Sequence, residues 1–450
     1  MSKNPTPTKI KPRERDAVLQ SLQAGLVPKI GLHLIQVGRK QEVSAMLRDI
    51  ERIENGGAAF RFVIGRFGSG KSFFLTLTRN LALQKKLVVL SADITMERRL
   101  QATGGQTRAL YSELLRNLAT RARPEGGALR NLCEGWISNI HHEIKTSGGS
   151  EDAVAQRIRA DLRDLTDLVG GYAFSEVLGK YYEGYTSGND ALQTAALRWL
   201  RGEYTTKTEA RQDLGVRDIV DDENVYAMLK LLAAFVRKAG YAGLFVCLDE
   251  MVVLSHRLPS SRARQANYEA LLTMLNDCYQ GGAEGIGFLL AGTDEFLEDK
   301  RRGLFSYEAL RSRLADNQFS SDGAQDLSGP VIRLPNLTAE DLFVLLVNIA
   351  NVHAFGDPAK RAVPDEAVEA VLHRANETLG AEFFKTPRDV VRAFVGLLNV
   401  LDQSPGKDWK AVVGSDFIKK PAGPLSAEEA VAAGDVAADD GDDGLATFKL

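Results

Sequence analysis

Eight consecutive residues have the types and spacing that bind phosphate. They are Gly65, Arg66, Phe67, Gly68, Ser69, Gly70, Lys71 and Ser72, and they fit the pattern G-x-x-x-x-G-K-[ST]. The glycines let the backbone curl so that successive N–H groups point at phosphate oxygens. We expect Lys71 to neutralise the β- and γ-phosphates and the Ser72 hydroxyl to ligate Mg²⁺. The eight residues therefore predict a binding site for ATP with Mg²⁺.

This phosphate loop also needs a strand before it and a helix after it, because the N-terminus of the helix contributes its dipole. Residues 60–64 are apolar enough for a short buried strand. Residues 73–83 repeat apolar side chains at helical spacing. The flanking elements make a chance match in a Gly-rich chain the weaker interpretation.

A second stretch, residues 244–248, is apolar throughout and continues into Asp249 and Glu250. A buried parallel strand is apolar on both faces, and its carboxyl end meets the ligand crevice of an α/β sheet. We expect Asp249 to hold Mg²⁺ through water and Glu250 to polarise the attacking water as general base. The alternative is a buried strand that ends in two surface acids.

Composition and charge are those of an ordinary globular protein. The chain has 450 residues, of which 44% are hydrophobic and 26% charged, and its formal net charge is −3. Residues 421–450 hold seven acids against one base, so the remainder is near neutral and any nucleic-acid site must be a local patch. Three cysteines without metal-binding spacing, the lack of a signal peptide and the lack of a long apolar window predict a cytoplasmic protein without a membrane span.

The periodicity of the chain predicts an α/β fold with a parallel-sheet core, a long all-helical insertion and a C-terminal helical lid. Buried strands are expected at 86–93, 241–250, 287–293 and 331–335, and an apolar, strand-like segment ends in Val37-Gly38-Arg39. The six predicted segments are a flexible N-terminus (1–12), the first part of the core with the phosphate loop (13–100), the insertion (101–240), the second part of the core (241–335), the lid (336–403) and an acidic, largely disordered tail (404–450).

The predicted helices account for most of the insertion and the lid. They cover residues 12–24, 40–54, 107–123, 128–144, 151–169, 174–185, 189–201, 224–238, 307–314 and 337–350, and one more opens at 385–387 with Pro387 in its first turn. In the tail, Phe448-Lys449-Leu450 closes an apolar hexapeptide that suggests a short docking peptide, or an end without a role.

Two arginines, Arg311 and Arg313, stand two residues apart on a predicted helix. Positions i and i+2 do not share a helix face, so at most one of them points at a given phosphate. The γ-phosphate of a neighbouring subunit is the natural target of such an arginine finger, which predicts a homo-oligomer that assembles on ATP binding. Their spacing leaves open which arginine acts, and also whether both are solvated helix surface.

The order of phosphate loop, acid-ended strand, hydroxyl-ended strand, arginine helix and helical lid resembles AAA+ P-loop ATPases, nearest the initiator (origin-recognition) branch. The resemblance implies that Val37, Gly38 and Arg39 hold adenine between backbone groups. It also implies that Thr293 is sensor 1, which positions water near the γ-phosphate, and that Arg388 is sensor 2, which reaches back from the lid. The alternatives are a plain loop, a turn that ends a strand and an arginine on a helix surface.

A closer resemblance is to the BREX-system ATP-binding family, whose members include BrxD-like proteins of bacterial anti-phage islands. It covers most of residues 12–400 and is carried by Arg13-Glu14-Arg15-Asp16, Val37-Gly38-Arg39, Gly65–Ser72 with Phe73-Phe74, Arg198-Trp199-Leu200-Arg201-Gly202-Glu203, Gly240–Leu244 before Asp249-Glu250, and Tyr307-Glu308-Ala309-Leu310. The family implies an ATPase that acts beside other defence proteins, often a helicase-type partner. No winged-helix domain follows the lid, which argues against autonomous sequence-specific DNA binding.

The sequence thus favours an ATPase that hydrolyses Mg-ATP to remodel or load a partner on DNA. One rival is a slow regulatory switch or scaffold that recruits a helicase or nuclease, and another is a DNA-stimulated motor. A small-molecule kinase is disfavoured because nothing resembles an acceptor pocket. Basic segments of the insertion, Arg157-Ile158-Arg159 and Lys207, are candidates for a DNA or partner surface, although scattered charges of this kind usually form a solvated face.

Overall fold

The computed structural model of the protein describes residues 9–317, 326–379, 387–404 and 406–413. Its strands are β1 (Ala58–Ile64), β2 (Leu87–Asp93), β3 (Gly243–Asp249), β4 (Ile286–Gly292) and β5 (Val331–Arg333). Its α-helices are α1 (Pro12–Gln23), α2 (Lys40–Glu54), α3 (Lys71–Gln84), α4 (Gln106–Arg116), α5 (Leu129–Thr146), α6 (Glu151–Thr166), α7 (Gly171–Ser187), α8 (Asp190–Leu200), α9 (Lys207–Leu214), α10 (Val225–Lys238), α11 (Ser261–Gln280), α12 (Asp294–Glu298), α13 (Glu308–Leu314), α14 (Ala339–His353), α15 (Asp365–Leu379), α16 (Pro387–Gln403) and α17 (Trp409–Val413).

The strands form a five-stranded parallel sheet in the order β2-β3-β4-β1-β5. In the β2–β3 pair, Asp93 lies beside Asp249, and in the β3–β4 pair Leu248 lies beside Leu290. All residues of β1 and β4 are buried, as expected for strands covered on both faces. The five buried strands predicted at 60–64, 86–93, 241–250, 287–293 and 331–335 are therefore found, with ends that differ by up to two residues. Because β4 lies between β1 and β3, Thr293 follows the strand that separates the phosphate-loop strand from the strand ending in Asp249.

The chain divides into two compact units. The larger unit comprises residues 43–63 and 78–332 and contains nearly all of the sheet. The smaller unit comprises residues 9–42, 64–77 and the described chain from 333 onwards. Among the described residues, no helix is long and apolar enough to cross a bilayer.

In the larger unit, helices α4 to α10 separate β2 from β3 and pack around buried aromatic rings. Phe174 contacts both Trp199 and Phe235, with ring centroids 6.5 and 6.2 Å apart, and Trp136 meets Phe235 edge-on at 5.4 Å. Within the insertion, the largest differences from the predicted helices are that α4 ends at Arg116 instead of residue 123 and that α9 was not predicted. Between β3 and β4, α11 was not predicted either. The charged composition of α9, with only Ala210 and Leu214 buried, hides its periodicity.

In the smaller unit, α1 packs into one hydrophobic cluster with α14, α15 and α16. Val18 and Leu19 of α1 share that cluster with Leu346 and Phe394, and Ile10 ahead of α1 is buried in it as well. Thr338 and Asp341 form a capping box at the start of α14. Helix α17 lies within the segment predicted to be a disordered tail, and its Val413 joins the same cluster.

The strand-like segment predicted to end in Val37-Gly38-Arg39 is wrong. A short 3₁₀ helix, Leu32–Leu34, occupies part of it, and residues 35–39 form no strand. Gly31, Gly38 and Arg39 have φ of 74°, 61° and 62°, in the left-handed region, which is incompatible with an extended run. Lys385, Thr386 and the terminal Phe448-Lys449-Leu450 lie outside the described residues.

Candidate functional site

The phosphate loop, Gly65–Gly70, connects the end of β1 to the first residue of α3, Lys71. Gly68 and Gly70 have φ of 82° and 90°, which favours glycine at both positions. A Cβ at Gly65 would lie 2.5 Å from Ser69 Oγ and 2.7 Å from the Leu334 carbonyl oxygen, so no side chain fits there. The conformation of the loop thus requires glycine at both fixed positions of the pattern, 65 and 70, and also at position 68.

Lys71 lies under the loop with only 4% of its surface exposed. Its Nζ donates to the carbonyl oxygens of Gly65 and Arg66, at 3.0 and 3.1 Å. The buried Ser69 Oγ has no hydrogen-bond partner in the part of the chain that the structure describes. A lysine held by carbonyls and a buried hydroxyl suit an anion that brings its own acceptors, so the loop fits the phosphates of ATP. Ser72 follows on the exposed face of the first turn of α3.

Arg39 supports the loop with its side chain, and its predicted backbone role in an adenine-binding segment stays a prediction. Its Nη2 donates to the Ser69 carbonyl oxygen at 3.1 Å and also to the Pro335 carbonyl oxygen. Its Nη1 pairs with Glu42 Oε1 at 3.6 Å. Burial lowers the pKa of Arg39 against the opposing effect of Glu42, but an arginine stays charged at physiological pH. The structure places the backbone of Val37 and Gly38 in the same turn, and their role toward adenine stays a prediction.

The acid pair stands at the end of β3. Residues 243–248 are buried and Asp249 is half-buried. Glu250, directly after the strand, has a φ of 59°, a left-handed conformation that is costly for a residue other than glycine, and its N–H bonds Asp249 Oδ1 at 2.9 Å. Strained backbone of this kind is concentrated at functional sites. Asp249 and Glu250 thus form a conformationally costly turn directly after the strand.

Asp93 is an additional acid that the sequence analysis did not select. It ends β2 directly beside Asp249, and the Asp249 carbonyl oxygen accepts the N–H of Ile94 at 3.0 Å. Partial desolvation, assisted by the neighbouring Asp249, raises the pKa of Asp93. Two strands that both end in Asp were visible in the sequence, but their adjacency depends on the strand order.

Thr293 is almost fully buried after β4, with 2% of its surface exposed. Its hydroxyl accepts the N–H of Phe296 at 3.3 Å and so caps α12. A hydroxyl that accepts one hydrogen bond can still donate another, so the capping geometry is compatible with the predicted sensor role.

The two predicted finger arginines lie on α13 with their side chains exposed. Arg311 forms an ion pair with Glu308 at 2.8 Å. Arg313 donates from Nε to Asn276 Oδ1 at 3.0 Å and from Nη1 to the Ala309 carbonyl oxygen at 2.8 Å. Each arginine therefore has partners within its own chain, which it would have to give up to reach a neighbouring subunit.

Arg388, the predicted sensor 2, lies in the first turn of α16. Its Nε donates to the carbonyl oxygen of Gly25 at 2.7 Å, immediately after α1. In this state the side chain joins two helices of the smaller unit, and its role toward a phosphate stays a prediction.

The box Arg198–Glu203 stabilises the insertion. Arg198 pairs with Glu209 at 2.8 Å and Asp213 at 3.3 Å, and its guanidinium stacks 4.5 Å above the Tyr204 ring. Trp199 Nε1 donates to the Asp218 carbonyl oxygen at 2.6 Å, and the Gly202 carbonyl oxygen accepts from Arg108 and Ser112. These contacts tie α8, α9 and α4 together, which gives the box a structural role.

The described residues contain no cluster of three His, Cys, Asp or Glu side chains that could hold a metal ion by itself. Magnesium bound together with a nucleotide does not need such a cluster, because phosphate oxygens and water fill most of its octahedral positions. The expectation that Ser72 and Asp249 each supply one oxygen donor to such an ion stays a prediction.

Comparison with known proteins supports the nucleotide site. Residues 10–416 match the family described as BREX system ATP-binding protein BrxC/D. No curated protein matches the chain. Because the match spans most of the sequence and includes the phosphate loop and the acid-ended strand, the chain belongs to the BrxC/D family of BREX system ATP-binding proteins.

Proposed function

We propose that the chain is a Mg²⁺-dependent ATPase of the AAA+ type that acts within a bacterial anti-phage defence system. The observation that carries the proposal is the phosphate loop with Lys71 buried beneath it at the start of α3. The family supports ATP binding. The parallel sheet, with a buried hydroxyl residue after the strand between β1 and β3, supports the assignment of the finer fold class.

Each residue has a defined part in the proposed reaction. The loop N–H groups and Lys71 bind the phosphates, and Ser72 and Asp249 hold the metal ion. Mg²⁺, when bound, neutralises charge that develops on the phosphate oxygens. Glu250 accepts a proton from a water molecule while the oxygen of that water attacks the γ-phosphorus. The bond between the γ-phosphorus and the oxygen that bridges it to the β-phosphate breaks, which gives ADP and phosphate. Thr293 orients the water, and Arg311 or Arg313 of a neighbouring subunit and Arg388 of the lid stabilise the transferred group.

The output we propose is remodelling or loading of a partner protein on DNA, with other defence-system proteins, including a helicase, as partners. A slow regulatory switch is the second candidate, because Arg311 and Arg313 each bond within their own chain. A switch needs neither arginine in trans.

Turnover per subunit, measured as protein concentration rises and with or without duplex DNA, separates these functions. A rate per subunit that climbs with concentration indicates sites shared between subunits, as an AAA+ assembly requires. A flat, slow rate favours the switch. A turnover rate that DNA stimulates strongly at low salt, but only weakly at moderate salt, favours a DNA motor.

A further inference from the structure

The segment that follows Glu250 contains two polar side chains in the hydrophobic core. Residues 253–257 form a π-helix, in which Ser255 is fully buried and His256 has 4% of its surface exposed. Wide helical turns of this kind are rare and often occur at functional sites. Burying a serine and a histidine costs free energy unless both side chains are hydrogen-bonded. Their hydrogen-bond partners therefore identify the segments that the π-helix contacts.

His256 is bonded on both ring nitrogens. Its Nδ1 lies 2.7 Å from Ser255 Oγ, and its Nε2 lies 3.2 Å from Asp299 Oδ2. Asp299 follows α12 and also accepts the N–H groups of Arg301 and Arg302, at 2.7 and 3.1 Å. The ring therefore joins the segment after β3 to the segment after β4.

The protonation states of Asp299 and His256 decide which of the two side chains donates the hydrogen bond between them. Partial burial would raise the pKa of Asp299, but the N–H groups of Arg301 and Arg302 together with His256 lower it, so the carboxylate is ionised and can only accept. Burial lowers the pKa of His256 more than Asp299 raises it, which favours the neutral ring near pH 7. Nε2–H then donates to Asp299. The single hydrogen of the Ser255 hydroxyl is shared between the Val252 carbonyl oxygen, 3.0 Å away, and His256 Nδ1, 2.7 Å away.

Backbone bonds extend this connection to the acid pair. The Val253 N–H bonds the Glu250 carbonyl oxygen, and the Met251 N–H bonds the Ala291 carbonyl oxygen, both at 3.1 Å. From Ala291 the chain passes Thr293 and α12 and returns to Asp299. The result is a closed ring of contacts that contains both Glu250 and Thr293. A left-handed conformation is costly for a residue other than glycine and persists only where its surroundings fix it.

From this geometry we infer that the His256–Asp299 bond is a positioning device that holds the Glu250 turn and the Thr293 cap in one arrangement for ATP hydrolysis. The inference rests on the proposed function of Glu250. His256 does not touch the nucleotide in this account. It acts by limiting the freedom of the backbone that carries the general base, and errors of about 1 Å in such a group lower turnover by up to about 100-fold.

Three variants test the inference. His256→Phe keeps the size of the ring and removes both nitrogens, whereas His256→Gln restores an N–H near the position of Nε2. Asp299→Ala removes the acceptor at a position where 34% of the side chain is exposed, so it disturbs the hydrophobic core less than a substitution of His256 does. Glu295→Ala, an exposed acid of α12, is the matched control.

We expect His256→Phe and Asp299→Ala to lower kcat roughly tenfold or more with unchanged ATP affinity, and His256→Gln and Glu295→Ala to stay within about threefold of the wild type. A merely structural histidine would not give this split between kcat and affinity. Wild-type kcat in Asp299→Ala would overturn the inference.

Amide hydrogen exchange of residues 250–254 in the same proteins decides the positioning claim independently of turnover. Faster exchange in His256→Phe and Asp299→Ala, but not in His256→Gln, supports it, and equal exchange in all variants contradicts it. If the wild type shows no turnover, the proposed function of Glu250 fails. The exchange data still support or refute the claim that the His256–Asp299 bond restrains residues 250–254.

Discussion

The Arg39 guanidinium donates a hydrogen bond from Nη2 to the carbonyl oxygen of Ser69, 3.1 Å away, within the phosphate loop. The same Nη2 bonds the Pro335 carbonyl oxygen, and Nη1 pairs with Glu42. One planar side chain thus fixes the loop against two other segments of the smaller unit. Lysine cannot reproduce this fork of donors.

We therefore expect Arg39→Lys to weaken ATP binding by roughly tenfold, the equivalent of one charge-assisted hydrogen bond. The measurement is equilibrium binding of Mg-ATP by calorimetry. Arg48→Lys, at an exposed position of α2, is the control and should bind like the wild type. Equal affinities in all three proteins would show that the loop does not need this support.

Glu250 carries a conformational cost that a substitution can reveal. Because its φ is 59°, glycine should fit this position better than alanine. We expect Glu250→Gly to be more stable than Glu250→Ala by about 1 kcal/mol in the free energy of unfolding, measured with urea. At Glu269, inside α11, the order should reverse by about the same amount, because glycine destabilises a helix interior. A higher stability of Glu250→Ala would mean that the turn is not strained.

The phosphate loop, the acid pair and the strands could be predicted because each depends on a short local pattern. Residues 244–248 are apolar on both faces, and Asp249 follows them directly. The glycines at 65, 68 and 70 stand where the loop leaves no room for a side chain or has φ above zero. In such places the local residue types and the local structure agree.

The remaining features depend on tertiary contacts. The pairing of Asp93 with Asp249 requires β2 beside β3, although about 150 residues separate the two strands. Arg39 supports the phosphate loop only because residues 35–39 turn back, which apolar periodicity does not indicate. The same holds for α1, whose Val18 and Leu19 pack on helices that begin more than 300 residues later.

A finger arginine in trans can be tested by mixing variants. Arg313→Ala retains its own Lys71 and Glu250 but lacks the finger, and Glu250→Gln retains the finger but lacks the base. We expect each variant alone to be inactive and the mixture to recover part of the ATPase activity, because one type of shared site is then complete. The corresponding mixture with Arg311→Ala tests the other candidate.

The control is a mixture of Glu250→Gln with Lys71→Ala, in which every site lacks a group supplied by its own chain. That mixture should stay inactive. No recovery with either arginine variant would count against shared sites and favour the switch.

Two buried histidines, His256 and His353, should make the free energy of unfolding depend on pH. Burial lowers the pKa of His256, despite Asp299, and burial together with Arg15 lowers that of His353, despite Asp402. In the unfolded chain both return to about 6.5. As the pH falls below about 6.5, the unfolded state binds more protons than the folded state, and stability decreases.

Urea unfolding at pH 7.5, 6.5 and 5.5 checks this expectation. The free energy of unfolding should fall slightly between pH 7.5 and 6.5 and more steeply between pH 6.5 and 5.5. His353→Gln should reduce the loss, because it removes one of the two titrating groups. Greater stability at pH 5.5 than at 7.5 would contradict the direction of both shifts.

The most direct test of the central claim is the fate of ATP bound to the wild type and to Glu250→Gln, with Lys71→Ala and an exposed control, Lys85→Ala, measured alongside. We expect wild type and Lys85→Ala to release ADP, and Glu250→Gln to retain unhydrolysed ATP with turnover lowered by about 100-fold or more. Lys71→Ala should bind ATP at least roughly tenfold more weakly. Wild-type turnover in Glu250→Gln, or unchanged ATP binding in Lys71→Ala, would contradict the account.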